Sequence, residues 1–218
     1  MAPIDISRPL SAATAPFPGD TPTDFALTSS LSPTCPVNVG RLTCSTHAAT
    51  HIDAPFHYLP TGQTIDQLDL SLFLGPAIVV DIPPSSAHIT PDHLPPSPAP
   101  LPPRLLLRTR AWPVHSAFPT TFPTLAPGLA ATLAARGVRL LGIDLPSVDL
   151  PDSKTLPIHL ELAHANILIL ESLDLSSPLI FPNTPYHLTA LPLNLTSADA
   201  SPTRAILSPL HTPTPPAT

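Results

Sequence analysis

The segment His47-Ala48-Ala49-Thr50-His51-Ile52-Asp53-Ala54-Pro55-Phe56-His57 places three histidines and one carboxylate close together in the chain. Imidazole and carboxylate ligands together suit zinc, with manganese as the alternative. A helix would put His47 and His51 on one face, and it would end near Asp53 because Pro55 disfavours helical geometry at the residue before it. The chain beyond is expected to run extended and to bring His57 to the same point as a base that does not bind metal.

A second group of polar residues lies about a hundred positions downstream, and a metal site needs its support because a histidine pair at i, i+4 is a loose motif. Residues 156–166 have a helical pattern and include His159. Glu171 directly follows the apolar run 167–170, which is typical of a buried strand. A carboxylate in that place costs free energy unless it is paired or bound to a cation.

The composition indicates a folded chain despite an unusual proline content. The chain has 218 residues, which suits one domain. Its 35 prolines are about three times the number that ordinary usage would give. The hydrophobic fraction of 43% and the positive mean hydropathy nevertheless argue against disorder. The prolines cluster in three segments and leave the apolar runs clear.

Charge, cysteine content and hydropathy limit the partners and the compartment. A net charge of −6, with nine Lys and Arg and no basic stripe, excludes phosphate-dominated binding to nucleic acid. Two cysteines predict reduced thiols, although a single bridge stays open as an alternative. There is no secretory signal at the N-terminus and no apolar run of about 18 residues, so a cytoplasmic protein without membrane spans is expected.

Apolar periodicity predicts an α/β protein whose strands and helices alternate. The clearest helix is predicted from Leu125 to Arg136, with Thr124 as its cap and Gly137 as its left-handed end. Strands are predicted at 4–6, within 23–46, and at 77–82, 105–108, 138–143, 167–170, 188–195 and 204–207.

These elements predict a single α/β domain over residues 1–208. The proline-rich segment 83–103 is interpreted as a surface insertion with at most one helical turn, starting at Thr90. Residues 209–218 are predicted to be a flexible tail.

Two further segments have the character of site loops. Phe17 lies between prolines on the stiff loop 15–22, where an aromatic ring makes a good wall for a flat ligand. The turn 144–149 follows a strand, where α/β proteins commonly place active-site groups, and Asp149 within it is expected to be structural. Ser147 lacks the sequence context of a serine nucleophile, which argues against a serine hydrolase.

With these residues in place, the sequence resembles the cyclase-like metal-dependent hydrolase family, and within it the bacterial-type kynurenine formamidases, or arylformamidases. The resemblance is nearly end to end. The motifs that support it are IDIS…PFPGDTP (4–22), HAATHIDAPFH (47–57), GIDLPSVDLPDSK (142–154), His159 with Glu171 after ILIL, and ALPLNL…DASPTRAIL (190–207). The resemblance implies a single-domain mixed sheet with flanking helices, of the swivelling β/β/α type, and a cytosolic homodimer.

The resemblance also implies an activity: hydrolysis of N-formyl-L-kynurenine, an aromatic amide, to L-kynurenine and formate in tryptophan degradation. It implies two zinc ions per subunit, with Mn²⁺ as the alternative, that activate a hydroxide. His57 would act as the proton shuttle and Phe17 would contact the substrate. The implied metal ligands are His47, His51, Asp53, which would bridge the two ions, His159 and Glu171.

Three positions depart from the family's pattern. Ala49 replaces a glycine of the usual H-x-G-T-H motif, Leu160 stands where a second adjacent histidine is common, and Phe17 replaces a tryptophan. None of the three is an implied metal ligand. They leave two alternatives open: a related hydrolase of another aromatic amide or lactam, of the isatin-hydrolase type, or a relative that binds metal or ligand without catalysis.

Overall fold

The computed structural model describes residues 2–96 and 100–210, and a nine-stranded mixed sheet organises them. Two α-helices, α1 (Leu129–Ala135) and α2 (Pro157–His164), accompany the strands, together with 3-10 turns at Pro55–His57, Ile65–Gln67, Leu70–Phe73 and Pro91–His93. The strands in chain order are β1 (Ile4–Asp5), β2 (Asp24–Ser29), β3 (Val39–Thr43), β4 (His51–Asp53), β5 (Leu74–Asp81), β6 (His88–Ile89), β7 (Arg104–Arg108), β8 (Thr124–Leu125), β9 (Leu140–Ile143), β10 (Leu168–Glu171), β11 (Tyr186–Thr189), β12 (Ala200–Pro202) and β13 (Ile206–Pro209).

The main sheet has the strand order β1-β13-β11-β5-β7-β9-β10-β4-β12, and its central strands β5, β7, β9 and β10 are parallel. Both faces of this centre are covered. Leu105 and Leu107 of β7 join the core that includes Leu133 of α1 and Leu162 of α2, whereas Leu106 joins the core on the other face. Burial on both faces explains why these strands have continuous apolar sequences.

Strand β4 brings the histidine-rich segment to the far side of the parallel strands. It pairs antiparallel with β10 on one side and with β12 on the other. In this register His51 lies opposite Glu171, and Asp53 lies opposite Ala200. Three segments that are far apart in the sequence therefore meet at one corner of the sheet.

The fold class predicted from the sequence is confirmed, and so are most of the predicted strands. The helix predicted within 156–166 is α2, and the turn predicted to start at Thr90 is the 3-10 turn Pro91–His93. The segment 23–46 forms the hairpin β2–β3, which is a separate two-stranded sheet. Cys35 and Cys44 are both free thiols.

The predicted helix from Leu125 to Arg136 was too long at its start. Thr124 and Leu125 form β8, which pairs with β6, and α1 begins only after Gly128, whose φ of 80° interrupts a continuous helix. Thr124 is therefore not the cap. The predicted end is correct, because Gly137 adopts a left-handed φ of 93° and donates its N–H to the carbonyl of Ala134.

The conformation predicted for the histidine-rich segment was wrong in both halves. Residues 51–53 are strand β4 instead of the end of a helix, and the chain after Ala54 makes a 3-10 turn over Pro55–His57 instead of running extended. The pairing of β4 with two neighbouring strands satisfies its backbone from both sides, which a single helical turn between a loop and a proline does not achieve.

Smaller differences concern the C-terminal part. Strand β12 was not predicted, and the strand predicted over 188–195 ends at Thr189 in β11. Strand β13 continues to Pro209, one residue into the segment predicted as a tail, while 211–218 lie outside the described residues, as do 97–99 of the predicted insertion. None of the helices in 2–96 and 100–210 has the length and hydropathy to cross a membrane.

Candidate metal centre

Two neighbouring antiparallel strands project three polar side chains onto one face of the sheet. His51 and Asp53 are two residues apart on β4, and Glu171 lies opposite His51 on β10, so their side chains share that face. His51 Nε2 lies 3.3 Å from Asp53 Oδ1 and 3.4 Å from Glu171 Oε2. All three side chains are buried.

Two histidines from other segments complete the cluster. His47, in the turn before β4, places Nδ1 3.1 Å from Asp53 Oδ1. His159, on α2, places Nε2 3.6 Å from Asp53 Oδ2 and 3.8 Å from Glu171 Oε1. The five residues form two groups that could each hold a metal ion, with Asp53 common to both: His47, His51 and Asp53 in one group, and Asp53, His159 and Glu171 in the other. The structure thus brings together all five side chains that the sequence analysis proposed as ligands.

The hydrogen-bonding state of the cluster fits a divalent cation. His51 Nε2 and both carboxylate oxygens of Asp53 are buried and have no hydrogen-bond partner among the described residues. Buried polar atoms in folded proteins almost always have a partner. Here His51 Nε2 faces Asp53 Oδ1 across 3.3 Å, and the two Asp53 oxygens also face ring nitrogens of His47 and His159 across 3.1 and 3.6 Å. Imidazole nitrogen with carboxylate oxygen is a ligand set suited to zinc or manganese.

The electrostatics of the cluster support the same reading. Burial lowers the pKa of His51, but the nearby carboxylates of Asp53 and Glu171 outweigh this effect and raise that pKa to about 10. Burial and repulsion from Asp53 raise the pKa of Glu171. Two carboxylates in a buried site thus need compensating positive charge, which protons on the imidazoles or a cation can supply. Cation binding would accordingly release protons from the histidines.

The ring nitrogens that face away from the cluster are held by acceptors. His159 Nδ1 lies 2.7 Å from Asp149 Oδ2, and the same carboxylate accepts the backbone N–H groups of Ile158 and His159 at the start of α2. His51 Nδ1 lies 2.9 Å from the carbonyl oxygen of Ala49. Burial lowers the pKa of His159, but the hydrogen bond to Asp149 and the nearby carboxylate of Asp53 raise it to about 10.

Ala49 has the backbone conformation that explains why a glycine would suit this position. Its φ of 55° lies in the left-handed region, which costs a residue with a Cβ about 1–2 kcal/mol. The chain tolerates this conformation, and the carbonyl of Ala49 still meets His51. The departure at Ala49 therefore leaves the arrangement of the cluster intact.

Leu160 lies outside the cavity of the cluster and lines a separate depression beside Lys154.

His57 stands beside the cluster on the 3-10 turn Pro55–His57. Its ring centroid is 4.2 Å from that of His47 and 5.9 Å from that of His159. Burial lowers the pKa of His57 below its ordinary value, and Asp53 only partly offsets this effect. A neutral imidazole at the edge of a polar cluster is suited to accept a proton.

Asp199 is a further residue of the site that the sequence analysis did not identify. Its Oδ2 lies 3.1 Å from His47 Nε2 and 3.6 Å from His57 Nδ1, and its Oδ1 accepts a hydrogen bond from Thr46 at 2.9 Å. Burial opposes ionisation of Asp199, yet the hydrogen bond from His47 is the larger effect and lowers its pKa far below the ordinary value. The only sequence signal was its place in the motif DASPTRAIL.

A cavity of about 450 Å³ opens over the cluster, within the range typical of small-molecule sites. Phe17 lies at its edge, as the sequence analysis expected of a ligand wall, and it is about 40% exposed. Two aromatic residues that no sequence pattern marked extend this wall. The ring of Phe118 packs edge-on against Phe17 at 5.3 Å and lies 5.8 Å from the ring of Trp112.

Asp149 proved to have more than the structural role expected of it. It caps α2, as a structural residue would, and its carboxylate also meets a ring nitrogen of a candidate ligand. The sequence placed it in the turn after β9 but provided no means of pairing it with His159 ten residues later.

Comparison with known proteins connects this site to a family. The family model described as "Putative cyclase" matches residues 4–150, more than half of the chain. A kynurenine formamidase of Geobacillus thermodenitrificans is 45% identical over 204 residues, which cover 94% of this chain and 96% of that protein. A kynurenine formamidase of Bordetella pertussis is 43% identical over 209 residues, with coverage of 94% and 97%.

Solved structures with the same fold include hydrolases. A predicted metal-dependent hydrolase from Bacillus stearothermophilus is 25% identical and superposes with a TM-score of 0.76, over 94% of this chain and 97% of that one. An isatin hydrolase bound to the product analogue thioisatinate is 19% identical and has a TM-score of 0.79, over 95% and 92% of the two chains, which shows a common fold.

Proposed function

This chain belongs to the putative cyclase family, and from that premise we propose that it hydrolyses N-formyl-L-kynurenine to L-kynurenine and formate. One observation carries the proposal: buried His51 and Asp53, with orphaned polar atoms, face Glu171 at the base of a cavity with an aromatic wall. Relatives named kynurenine formamidase, 41–45% identical over nearly the whole chain, support this substrate above other amides.

We propose that the cluster holds two zinc ions, with manganese as the alternative. His47, His51 and Asp53 would hold the first ion. Asp53 would also contact the second, together with His159 and Glu171. When bound, such cations supply Lewis-acid chemistry, which makes water a stronger nucleophile and polarises an amide carbonyl.

In this proposal His57 is the catalytic residue that moves the proton. Hydrolysis of a formanilide requires a proton to leave the attacking water and a proton to reach the departing aryl nitrogen, because an anilide anion is a poor leaving group. His57 stands next to His47, and with His47 and Asp199 it forms a third group that could hold a metal ion. The proposed ligand set does not use His57, so its ring nitrogens are available for both transfers. Positioned acid–base groups of this kind typically contribute about 10²–10⁴-fold in rate.

We propose that the aromatic wall selects the aryl ring of the substrate. Phe17 is partly exposed at the cavity, and its edge-to-face contact with Phe118 makes it the outer member of a series of three aromatic rings. Trp112 anchors that series, because it is buried and covered by the guanidinium of Arg8 at 3.7 Å. A ligand ring placed against Phe17 would gain about 0.5–1.5 kcal/mol from aromatic contact beyond its burial.

We further propose that two copies of the chain form a homodimer through the hairpin β2–β3. Phe25 and Leu27 share one face of β2, and Leu42 lies opposite Phe25 on β3. All three side chains are exposed, with Phe25 at 65%. An apolar hairpin face of this kind typically marks a protein–protein interface, and two strands alone are marginally stable in water. Phe25→Asp should convert a dimer into a monomer in sedimentation equilibrium.

The test of the activity is formate release from N-formyl-L-kynurenine by purified protein reconstituted with zinc, and metal-stripped protein is the control. Formate release that depends on the added metal is expected. Hydrolysis of isatin without hydrolysis of formylkynurenine would instead support the isatin-hydrolase alternative. Metal uptake without hydrolysis of either substrate would identify a binding protein. Metal analysis of the isolated protein would decide between zinc and manganese. A cytoplasmic location stays a prediction, and fractionation of cells that express the protein would test it.

A further inference from the structure

We propose that Asp199 is a positioning residue that holds both His47 and His57 in the orientations that the reaction requires. This inference rests on the proposed metal-dependent hydrolysis and adds a residue to it. The carboxylate would act through the two imidazoles and would not itself bind the cation or contact the substrate.

The backbone locates Asp199 at the edge of the metal centre. Asp199 directly precedes β12, in which Ala200 is the register partner of Asp53. The carbonyl oxygen of Asp199 accepts the backbone N–H of Ala54 at 2.9 Å. Asp199 is therefore tied to the strand that supplies two candidate ligands, and its position relative to the cluster does not depend on its side chain.

The side chain of Asp199 divides its two oxygens between different partners. Thr46 donates its hydroxyl to Oδ1 at 2.9 Å. This contact directs Oδ2 toward the imidazoles, where it lies 3.1 Å from His47 Nε2. His47 Nδ1 lies 3.1 Å from Asp53 Oδ1, so the ring of His47 spans from Asp199 to the cluster. A proton on Nε2 that is donated to Asp199 leaves the lone pair of Nδ1 for a cation.

The same oxygen of Asp199 also faces His57. Its distance to His57 Nδ1 is 3.6 Å, longer than a hydrogen bond, and catalytic contacts of this length often tighten when substrate binds. A carboxylate at Nδ1 favours the tautomer with the proton on that nitrogen, which leaves Nε2 free to accept one. Asp199 would in this way prepare the proton shuttle as well as a ligand.

The other two candidate ligand histidines have comparable partners. Asp149 Oδ2 lies 2.7 Å from Nδ1 of His159, and the carbonyl oxygen of Ala49 lies 2.9 Å from Nδ1 of His51. Outer partners of this kind orient metal-binding histidines in many proteins. Asp199 differs from Asp149 and Ala49 because it also faces the imidazole proposed to move the proton.

The test is Asp199→Asn, which keeps the size of the side chain and removes its charge. Zinc affinity, measured by competition with a chromophoric chelator, should fall about 10–100-fold, as is typical when such a partner is lost. The number of zinc ions bound at saturation should not change. In the formate assay kcat should fall at saturating zinc while KM changes little. Asp199→Glu, which keeps the charge, should recover part of both losses.

Two further variants separate a positioning effect from a general structural one. Thr46→Val should weaken zinc binding in the same direction as Asp199→Asn but less, and it should add little in the Asp199→Asn background, because the two residues would act as one unit. Asp66→Asn is the matched control: Asp66 is an exposed aspartate that accepts the N–H of Ser197 in the adjoining loop, and its loss should leave zinc affinity unchanged.

Each alternative outcome overturns the proposal in a recognisable way. Unchanged zinc affinity and kcat in Asp199→Asn would show that the carboxylate positions neither histidine. Loss of one zinc equivalent at saturation would make Asp199 a ligand instead. Equal losses in Asp199→Asn and Asp199→Glu would show that its charge is not what matters. Zinc titration needs no substrate. A wild-type protein that binds zinc but does not hydrolyse N-formyl-L-kynurenine would therefore refute the proposed substrate and leave the role of Asp199 in zinc binding testable.

Discussion

Asp149 links the turn after β9 to the start of helix α2, and its replacement by alanine would test two functions of one carboxylate. The side chain accepts the backbone N–H of Ile158 at 3.1 Å and that of His159 at 3.0 Å, and it meets His159 Nδ1 at 2.7 Å. The variant removes both the cap of the helix and the outer partner of a candidate ligand.

The expected loss of stability follows from these contacts. Loss of the cap costs about 1 kcal/mol, and loss of a carboxylate at the positive end of a helix costs about 0.5 kcal/mol. The ring N–H of His159, buried and left without a partner, costs about 1–3 kcal/mol more. The free energy of unfolding of Asp149→Ala should therefore fall by about 3 kcal/mol, equivalent to a Tm lower by about 6–12 °C in a chain of this size.

The assay is thermal unfolding of metal-stripped protein at one fixed protein concentration, so that neither bound metal nor self-association shifts the Tm. Zinc affinity is measured separately and should fall about 10–100-fold. Asp149→Asn should lose less stability than Asp149→Ala, because an amide oxygen caps a helix about as well as a carboxylate. Asp152→Ala, at an exposed position on the same loop, serves as the control and should change stability by less than about 0.5 kcal/mol.

Two results would refute this reasoning. If Asp149→Ala unfolded within about 0.5 kcal/mol of the wild type, its contacts with α2 would not stabilise the helix. If zinc affinity were unchanged in both Asp149 variants, the orientation of His159 would not depend on its outer partner.

Three further predictions follow from other parts of the structure. His51→Ala should lose bound metal and activity together, whereas His57→Ala should retain metal by elemental analysis and lose about 10²–10⁴-fold in kcat; a fully active His57→Ala would refute its role. Burial opposes ionisation of Asp81, but hydrogen bonds from Arg108 and Arg110 outweigh this effect and hold the pKa of Asp81 below its usual value. This stabilisation is present above about pH 4 and is lost as the pH falls through the lower folded-state pKa. In urea unfolding, Asp81→Asn should therefore lower the free energy of unfolding by about 1–2 kcal/mol at pH 7 and by less in acid. A loss of stability that does not depend on pH would contradict this reasoning. Phe17→Ala should raise KM about threefold to tenfold with kcat unchanged, and an unchanged KM would remove Phe17 from the substrate wall.

The sequence by itself determined the elements whose patterns are local. The apolar runs at 77–82, 105–108, 138–143 and 167–170 predicted buried strands, and all four form the parallel centre of the sheet. The glycine at 137 marked the end of α1. The five candidate ligands were also named from the sequence, because the motifs around them resemble a known family in several separate places; the spacing of the histidines alone is too loose to name them.

Only the tertiary structure decided how those ligands are presented and what surrounds them. The segment around His51 had the spacing of a helix, yet it is a strand because β10 and β12 satisfy its backbone from both sides. The same pairing places Asp199 beside His47, across more than 150 residues of sequence. The rings of Trp112 and Phe118 reach the cavity although each lies far along the chain from every candidate ligand. The physical reason is that pairing between strands joins residues that are far apart in the sequence, so its outcome depends on which strands are neighbours, and no local pattern contains that information.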